Sequence, residues 1–315
     1  MILKPSPQTP SIVEQFASAF AEAGIPPNVI QYFHCGSPEL LEILIKSPLV
    51  NHICFTGSLA GGLAVQKAAS DRIVNVGLEL GGKDPAYVRS DVDLAFAAEE
   101  VVDGAIFNSG QSCCAIERIY VHKNAYDGFV TAVKNVLSKY RVGDPLKKET
   151  QVGPVISKRA KESILAHIAE AISKGAKDET PVNASFENFP PEGNYVKPTL
   201  LTGVNHSMKV MTDETFGPVI PVVKVESDEE AIKLMNDSEF GLTASVWTKD
   251  IALAEKLIEN IEAGTVFINR SDFPSPVSFS FLTRIRRHLH ANGEYAKFIG
   301  SCMDRLEELR SWCNA

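Results

Sequence analysis

Apolar positions over residues 1–80 alternate between a strand-like and a helical spacing along the chain. Strands are predicted for the opening "MIL", for "VIQYF" (29–33), for "HICFTGS" (52–58) and for "RIVNVGLEL" (72–80). Runs with helical spacing separate these strands. Because the elements alternate in this way, we predict a parallel sheet covered by helices.

Proline and small polar residues mark the ends of the predicted helices. Thr9 and Pro10 predict an N-cap followed by the first helical position, and Gly24 predicts the C-terminal stop of that helix. Ser37 and Pro38 repeat the capping pattern before "ELLEILIKS".

The same alternation continues on a larger scale after residue 80. Helical patterns occupy roughly 93–107, 124–140, 157–174, 228–236 and 250–261. Strand-like runs include "RIYVH", "VIPVVKV", "TASVWT" and "GTVFIN". Residues 175–195 are rich in Asn, Pro, Glu and Gly, which predicts a surface loop.

The composition changes after Pro276. Residues 277–315 contain clustered basic residues and two cysteines, and they predict one or two basic amphipathic helices. Val277 and Ser278 can be encoded by codons that form a eukaryotic splice donor. We therefore hypothesise that this tail comes from a retained intron or a mispredicted gene model, which sequencing of the transcript across the junction would test.

The overall composition restricts the class of protein. The chain has 315 residues, of which 44% are apolar and 22% charged, as in a globular protein with a sizeable core. A net charge of −8 argues against nucleic acid or an anionic membrane as the main partner. The six cysteines lack the paired spacing of a zinc site, so no metal is expected. Neither a signal-peptide core nor a bilayer-spanning run is found in the sequence, and we expect a cytoplasmic protein.

Three short motifs combine small residues with a reactive or charged side chain. Gly57 and Ser58 end a strand before a helix whose N–H groups could bind a pyrophosphate, although such a glycine is more often only a turn. "LELGGKDP" ends an apolar strand with Glu79, either a general base or a salt-bridged strand end. "FNSGQSCC" places Cys113 in a loop of small residues, where it is either structural or a nucleophile towards a carbonyl carbon.

The order of these motifs resembles the NAD(P)-dependent aldehyde dehydrogenase superfamily. "LKPSPQTP", "FTGS", "LELGGKDP", "FNSGQSCC", "ETFGPV", "GLTASVWTKD" and "GTVFIN" follow one another as they do in that family, from residue 2 to about 276. The resemblance implies an aldehyde dehydrogenase-like α/β fold. Residues 1–80 would be a partial Rossmann-type dinucleotide-binding domain, residues 81–276 a catalytic thiol domain, and residues 277–315 an unrelated tail.

The resemblance also implies a mechanism. The family's nucleophile falls on Cys113, so that Cys114 is only its neighbour, and the general base falls on Glu79. Attack of the Cys113 thiolate on an aldehyde would give a thiohemiacetal. Loss of hydride to the nicotinamide would leave a thioester, and water activated by Glu79 would release a carboxylic acid.

Five further positions match cofactor-binding residues of the family. Lys4 matches the lysine that holds the adenine ribose, and Gly57 and Ser58 match the turn that binds the pyrophosphate. Glu214 matches the residue that binds the nicotinamide ribose, and Phe216 lies beside the nicotinamide ring in the family.

The sequence departs from the family at three places. Pro7 replaces a glutamate with which NAD-preferring members bind both ribose hydroxyls, so the cofactor is expected to be NAD or NADP. The sequence does not contain the family's segment before "LKPS", which carries an asparagine that donates an oxyanion hydrogen bond. After Pro276 the tail replaces the family's Gly-rich motif and oligomer strand.

Three hypotheses about function therefore stay open. The first is an aldehyde dehydrogenase that acts on a small-molecule aldehyde and forms a homo-oligomer, either active or a fragment with weak or no activity. The second is an inactive, truncated protomer that associates with full-length relatives. The third is a cysteine-dependent esterase, in which Cys113 and Glu79 hydrolyse activated esters without redox chemistry.

Overall fold

The computed structural model describes residues 1–190 and 192–271, together with the backbone of Arg284–Ile285. The chain divides into two compact units, Met1–Leu80 and Gly81–Ala315. Of the tail for which basic amphipathic helices were predicted, Arg284–Ile285 form a short strand, and the other residues lie outside the described part of the chain.

The first unit contains two small parallel sheets, each with two strands. In chain order its elements are β1 (Ile2–Leu3), α1 (Ile12–Glu22), β2 (Gln31–Tyr32), α2 (Pro38–Lys46), β3 (His52–Thr56), α3 (Leu59–Ala69) and β4 (Asn75–Glu79). Strand β1 pairs with β2, and β3 pairs with β4. The predicted alternation of strands and helices is confirmed, although β2 is shorter than the "VIQYF" run that predicted it.

The predicted start of α1 is wrong by two residues. The amide of Thr9 donates to the carbonyl of Ser6 at 3.1 Å and closes a turn, so the helix begins after it, with Ser11 as N-cap and no side-chain cap hydrogen bond. Pro10 therefore precedes the helix. The predicted stop at Gly24 is confirmed, because this residue has a φ of +84°, the left-handed conformation that glycine adopts most readily.

The caps of α2 and α3 follow the ordinary rule that a serine hydroxyl accepts an amide of the first turn. Ser37 accepts the amide of Leu40 at 3.3 Å, and Pro38 is the first helical residue, as predicted. Ser58 accepts the amide of Gly61 at 3.2 Å and begins α3.

The second unit is built on an eight-stranded sheet in the order β12-β11-β10-β5-β6-β9-β8-β7. The two edge strands, β7 and β12, are antiparallel to their neighbours, and the six central strands are parallel. In chain order the elements are β5 (Asp84–Val88), α4 (Leu94–Ile106), β6 (Ile116–His122), α5 (Lys123–Leu137), α6 (Lys158–Ser173), β7 (Lys177–Asp178), β8 (Thr199–Thr202), α7 (Lys209–Thr212), β9 (Val219–Val225), α8 (Asp228–Asn236), β10 (Thr243–Trp247), α9 (Ile251–Ile258), β11 (Thr265–Ile268) and β12 (Arg284–Ile285).

Each face of this sheet carries its own apolar core. Successive side chains of a strand point to opposite faces, so Tyr87 and Tyr120 join one core while Ala86, Val88 and Ile119 join the other. The first core is completed by α6, α7, α8 and α9, and the second by α4 and α5. A sheet covered on both faces explains why most positions of its central parallel strands are apolar.

The prediction that residues 175–195 form a surface loop is wrong in part. Strand β7 lies within this segment and pairs with β8. Phe186 is buried in the core below α4 and α5, and the side-chain amide of Asn183 donates to carbonyls at the end of α5. One aromatic residue and one asparagine therefore anchor a segment whose average composition indicates a loop.

No helix in the described part of the chain is long and apolar enough to cross a membrane.

Candidate functional site

The loop before β6, which carries Cys113, is built on a left-handed stretch of backbone. Asn108, Ser109 and Gly110 have φ values of +51°, +61° and +74°. A side chain at Gly110 would collide with the neighbouring chain, because its Cβ would lie 2.2 Å from the carbonyl oxygen of Gly217. Glycine is therefore required here both for its conformation and for the close approach of the two backbones.

Side chains of the loop hold this shape. The hydroxyl of Ser109 donates to the carbonyl of Gly153 at 2.9 Å. The side chain of Gln111 accepts the amide of Ile156 at 2.8 Å and donates to the carbonyl of Asn108 at 3.0 Å. These contacts present half-buried Cys113 on a fixed backbone. The neighbouring Cys114, also half-buried, has its Sγ 3.3 Å from the hydroxyl of Ser112.

The turn formed by Gly81 and Gly82 lies against both the cysteine loop and Glu214. A Cβ at Gly82 would lie 2.2 Å from the carbonyl oxygen of Cys113, and a Cβ at Gly81 would lie 2.3 Å from Oε1 of Glu214. The amide of Gly82 also donates to Oε1 of Glu214 at 3.1 Å. The glycine pair of "LELGGKDP" is therefore needed for the close contacts of this turn with Cys113 and with Glu214.

Glu214 is half-buried beside this turn. Burial raises the pKa of its carboxyl above the ordinary value, and the negative charge of Glu117 acts in the same direction. The hydrogen bond from Gly82 and the charge of Lys83 oppose that rise. A carboxyl in this setting can serve as a hydrogen-bonding group for a ligand hydroxyl.

Phe216 lies two residues further on, with 38% of its surface exposed and a φ of +52°. A bulky residue in this conformation costs about 1–3 kcal/mol. The amides of Thr215 and Phe216 donate to the carboxylate of Glu117 at 2.7 and 2.8 Å. Hydrogen bonds to a charged group contribute roughly 1.5–3 kcal/mol each, so the two bonds are sufficient to hold the strained backbone.

The carboxylate of Glu117 also forms a buried ion pair. Nζ of Lys83 lies 2.6 Å from Oε2 of Glu117, and the two residues are 1% and 3% exposed. Burial lowers the pKa of Lys83, while the charge of Glu117 opposes this change. Lys83 also donates to the hydroxyl of Thr215 at 3.0 Å, and that hydroxyl lies 3.3 Å from Nδ1 of His167. Burial, assisted by the charge of Lys83, lowers the pKa of His167.

None of the residues in this network was predicted from the sequence to be functional. The adjacent charged residues Glu117 and Arg118 within the apolar strand run "IERIYV" were an available signal, because a charge in a buried strand needs a partner. Arg118 holds the backbone of the same region, since its Nε donates to the carbonyl of Lys83 at 2.7 Å.

Among the sequence-predicted residues, the second unit therefore brings together Cys113, Glu214 and Phe216. The other four, Lys4, Gly57, Ser58 and Glu79, belong to the first unit.

Gly57 and Ser58 form the turn between β3 and α3. The ring of Phe55 packs against this turn, because a Cβ at Gly57 would lie 2.7 Å from it and a Cβ at Gly61 2.6 Å from it. The first amides of a helix have no intrahelical acceptor, and Leu59 and Ala60 occupy these positions in α3. Amides at the start of a helix are the groups that bind the pyrophosphate of a dinucleotide in other proteins.

Glu79 ends β4, and its side chain is exposed. Its carbonyl accepts the amide of Gly57 at 3.0 Å, which joins it to the turn. Lys4 follows β1. Pro5, the next residue along the chain, is part of the lining of a depression of about 290 Å³. The other residues that line it are Ser6, Pro7, Pro10, His34, Cys35 and Gly36. Among the residues whose positions are described, no group of three or more His, Cys, Asp or Glu side chains could hold a metal ion.

Comparison with known proteins identifies the family. The profile of the aldehyde dehydrogenase family matches residues 1–282, a stretch that extends beyond Pro276. Lactaldehyde dehydrogenase from Escherichia coli (strain K12) is 36% identical over 280 residues, which cover 89% of this chain and 58% of that protein.

Two solved structures share the fold. The NADP-dependent glyceraldehyde-3-phosphate dehydrogenase from Bacillus halodurans C-125, complexed with NADP, matches with a TM-score of 0.80 and 35% identity, over 90% of this chain and 57% of that one. The betaine aldehyde dehydrogenase from Staphylococcus aureus, in complex with NAD+, matches with a TM-score of 0.77 and 31% identity, over 85% of this chain and 53% of that one.

The chain spans about half the length of the curated relatives that it matches. Its relatives of known structure bind NAD+ or NADP. The α/β fold predicted from the sequence is the fold of these structures. Since the family profile covers most of its length, the chain belongs to the aldehyde dehydrogenase family.

Proposed function

We propose that this protein oxidises an aldehyde to a carboxylic acid with NAD+ or NADP+. The observation that carries the proposal is the contact between three segments of the second unit. The turn of Gly81 and Gly82 lies against both the loop of Cys113 and the Glu214 carboxyl, without space for a side chain at either glycine. Family membership gives each of these segments a role.

Cys113 is the nucleophile. Its thiolate attacks the aldehyde carbon and forms a C–S bond, while backbone amides of the fixed loop stabilise the negative oxygen of the thiohemiacetal. When bound, the nicotinamide supplies the oxidising power by accepting the hydride that leaves as the thioester forms. Glu79 then removes a proton from water, which attacks the thioester, breaks the C–S bond and releases the acid.

The remaining residues hold the dinucleotide. Lys4 binds the adenine ribose, and the turn of Gly57 and Ser58 binds the pyrophosphate. Glu214 accepts hydrogen bonds from the nicotinamide ribose, and Phe216 packs beside the ring. Pro7 carries no carboxylate that would repel a 2′-phosphate, so the site admits both NAD+ and NADP+.

Turnover measurements test the proposal. We expect the purified chain to reduce NAD+ or NADP+ in the presence of an aldehyde from a panel of aliphatic and aromatic compounds. Cys113→Ala should abolish this activity, whereas Cys114→Ala, the matched control, should keep most of it. Failure of wild-type protein with every aldehyde and both cofactors, or full activity of Cys113→Ala, would contradict the proposal.

Pre-steady-state kinetics test the role of Glu79. In Glu79→Gln we expect a burst of reduced cofactor followed by a slow steady state, because acylation does not need the base and deacylation does. A variant whose burst and steady state both match the wild type would remove Glu79 from the mechanism.

Ester hydrolysis without redox is a second candidate function. The cysteine loop lies entirely within the second unit, whose cores cover both faces of its sheet. Hydrolysis of a nitrophenyl ester without any dinucleotide, lost in Cys113→Ala, would support this candidate. If such hydrolysis occurs while no aldehyde is oxidised, esterase activity replaces the first proposal.

A further inference from the structure

The carboxylate of Glu117 uses both of its oxygens to bind other segments of the second unit. Oε2 accepts Nζ of Lys83 at 2.6 Å and the amide of Thr215 at 2.7 Å, and Oε1 accepts the amide of Phe216 at 2.8 Å. Two of these three donors are backbone amides. Since the residue is almost fully buried, no water competes for them.

These two amides belong to the segment of residues 214–217, which contains both residues assigned to the nicotinamide end of the cofactor. Glu214 immediately precedes the two amides, and Phe216 carries one of them. The left-handed conformation of Phe216 is unfavourable for a non-glycine residue and must be imposed by contacts. Glu117 acts on this backbone directly, because it accepts the amides of Phe216 and of its predecessor Thr215.

We infer that Glu117 is a positioning residue for the dinucleotide, an inference that rests on the proposed function. It fixes the backbone of Thr215 and Phe216 so that the side chains of Glu214 and Phe216 are held in place for the nicotinamide ribose and ring. Lys83 supports it by neutralising its charge and by binding the Thr215 hydroxyl at 3.0 Å.

A purely structural ion pair would behave differently. Replacing a buried pair by apolar residues of similar volume often leaves stability unchanged. If the pair only filled the core, such a replacement would also leave the 214–217 segment and cofactor binding unchanged. If Glu117 positions the segment, the replacement removes the acceptor of two amides whatever it does to stability.

Amide hydrogen exchange measures how firmly the backbone of residues 214–217 is held, and it requires no catalytic turnover. In Glu117→Gln one acceptor oxygen is replaced by an NH2 group, which faces a donor, so at least one of the three hydrogen bonds is lost. We expect exchange of the Thr215 and Phe216 amides to accelerate about tenfold or more, with β9 unchanged as an internal reference. The double variant Lys83→Met/Glu117→Leu should show the same acceleration and keeps the test valid if the single variant folds poorly.

Glu170→Gln is the matched control. The carboxylate of Glu170 likewise accepts a lysine, Lys174, and a backbone amide, that of Lys209 at 3.1 Å. In Glu170→Gln the amide exchange rates of Thr215 and Phe216 should stay within about twofold of wild type. The rate of aldehyde oxidation should stay within the same limit.

Kinetics provide the second readout. In Glu117→Gln and in the double variant we expect the KM for NAD+ or NADP+ to rise about tenfold while the KM for the aldehyde changes less than twofold. Unchanged exchange in the double variant would overturn the inference, and so would faster exchange with an unchanged cofactor KM. If wild-type protein oxidises no aldehyde, the proposed function has failed, and exchange still decides whether Glu117 holds the segment.

Discussion

Among residues 1–80, all of which the structure describes, only Val13, Gly62 and Ala69 are buried, whereas β5 is buried along its entire length. Both units contain amphipathic helices and apolar strands. In the second unit the apolar side chains meet across the sheet and form two cores. In the first unit they stay exposed, as Leu40 and Ile43 do on α2.

The difference shows that the pattern of a segment and its burial are separate properties. The spacing of "ELLEILIK" is sufficient to specify a helix, and α2 forms with the predicted cap. Burial needs a second element with a complementary face, which a local pattern does not encode. Most of a helix's stability comes from such packing and not from propensity. We therefore expect the two units to differ strongly in stability.

The largest expected effect is in amide hydrogen exchange. Amides of β6 and β9 should exchange only through global unfolding of the second unit, whereas amides of β3 and β4 should exchange through local opening. We expect protection factors to differ by at least about four powers of ten, more than about 5 kcal/mol. Mass-spectrometric exchange checks this, and equal protection in the two units would contradict the comparison.

Two phenylalanines, one in each unit, test whether burial makes the units differ in stability. Phe129 is fully buried on α5, and Phe16 is 54% exposed on α1. Phe129→Ala should lower the free energy of unfolding of the second unit by about 3–5 kcal/mol, because it leaves a cavity. Phe16→Ala should change that free energy by less than about 0.5 kcal/mol. Urea unfolding followed by the fluorescence of Trp247, with Trp312→Phe in every variant, measures both. Similar losses in the two variants would show that the units unfold together.

Asp84 tests the cost of a buried carboxyl in the second unit. Among the described residues, its Oδ1 is the buried side-chain oxygen without a hydrogen-bond partner. Burial raises the pKa of Asp84 well above 3.8, so the folded carboxyl keeps its proton at pH values where the unfolded one has lost it. Its contribution to stability is complete below about pH 4 and is lost as pH rises towards the folded pKa.

Asp84→Asn should therefore stabilise the protein increasingly as pH rises, by up to about 1.4 kcal/mol per pH unit. The amide oxygen still accepts the hydroxyl of Thr243, which donates to Oδ2 at 2.6 Å in the wild type. Asp71→Asn provides the control, because Asp71 is exposed in the first unit and its replacement should leave the free energy of unfolding of the second unit unchanged. Urea unfolding at several pH values measures both variants. If the free energies of unfolding of wild type and Asp84→Asn differ by the same amount at every pH, burial does not raise the pKa of Asp84.

The smallest expected effect concerns two helix caps. Ser157 caps α6 by accepting the amide of Ala160 at 3.1 Å, and Ser37 caps α2 of the first unit. Ser157→Ala should lower the free energy of unfolding of the second unit by about 1 kcal/mol. Ser37→Ala should leave the free energy of unfolding of the second unit unchanged, because we expect α2 to open without unfolding of that unit. The same urea titration separates the two outcomes, and equal losses would show that the units are coupled.

Elements with complete local signals could be predicted from the sequence. Helix α8 covers the predicted residues 228–236 because Ser227 caps it and three acidic residues fill its first turn. Strand β5 was not predicted, since "GGKDPAYV" contains Pro85 only three residues after a glycine turn. The sheet accommodates this proline where the register between β5 and β6 shifts.

The same distinction applies to the candidate site. Cys113 and Glu214 belong to short motifs, which carry their own signal along the sequence. The network of Lys83, Glu117 and Thr215 joins residues that are 34 and 132 positions apart, so the folded sheet brings it together and no local pattern predicts it. The roles proposed for Glu79, Lys4, Gly57 and Ser58 remain predictions from the family motif.

The exposed apolar side chains of α1 and α2 also bear on how long the protein survives in a cell. Chaperones and proteases recognise apolar segments that are accessible or that open locally, and they act on the least stable part of a chain. The two cores of the second unit would not protect the molecule from this selection. Its cellular abundance would then be set by the first eighty residues, so substitutions on the surface of α1 or α2 that remove apolar side chains would lengthen its half-life without touching the thiol site.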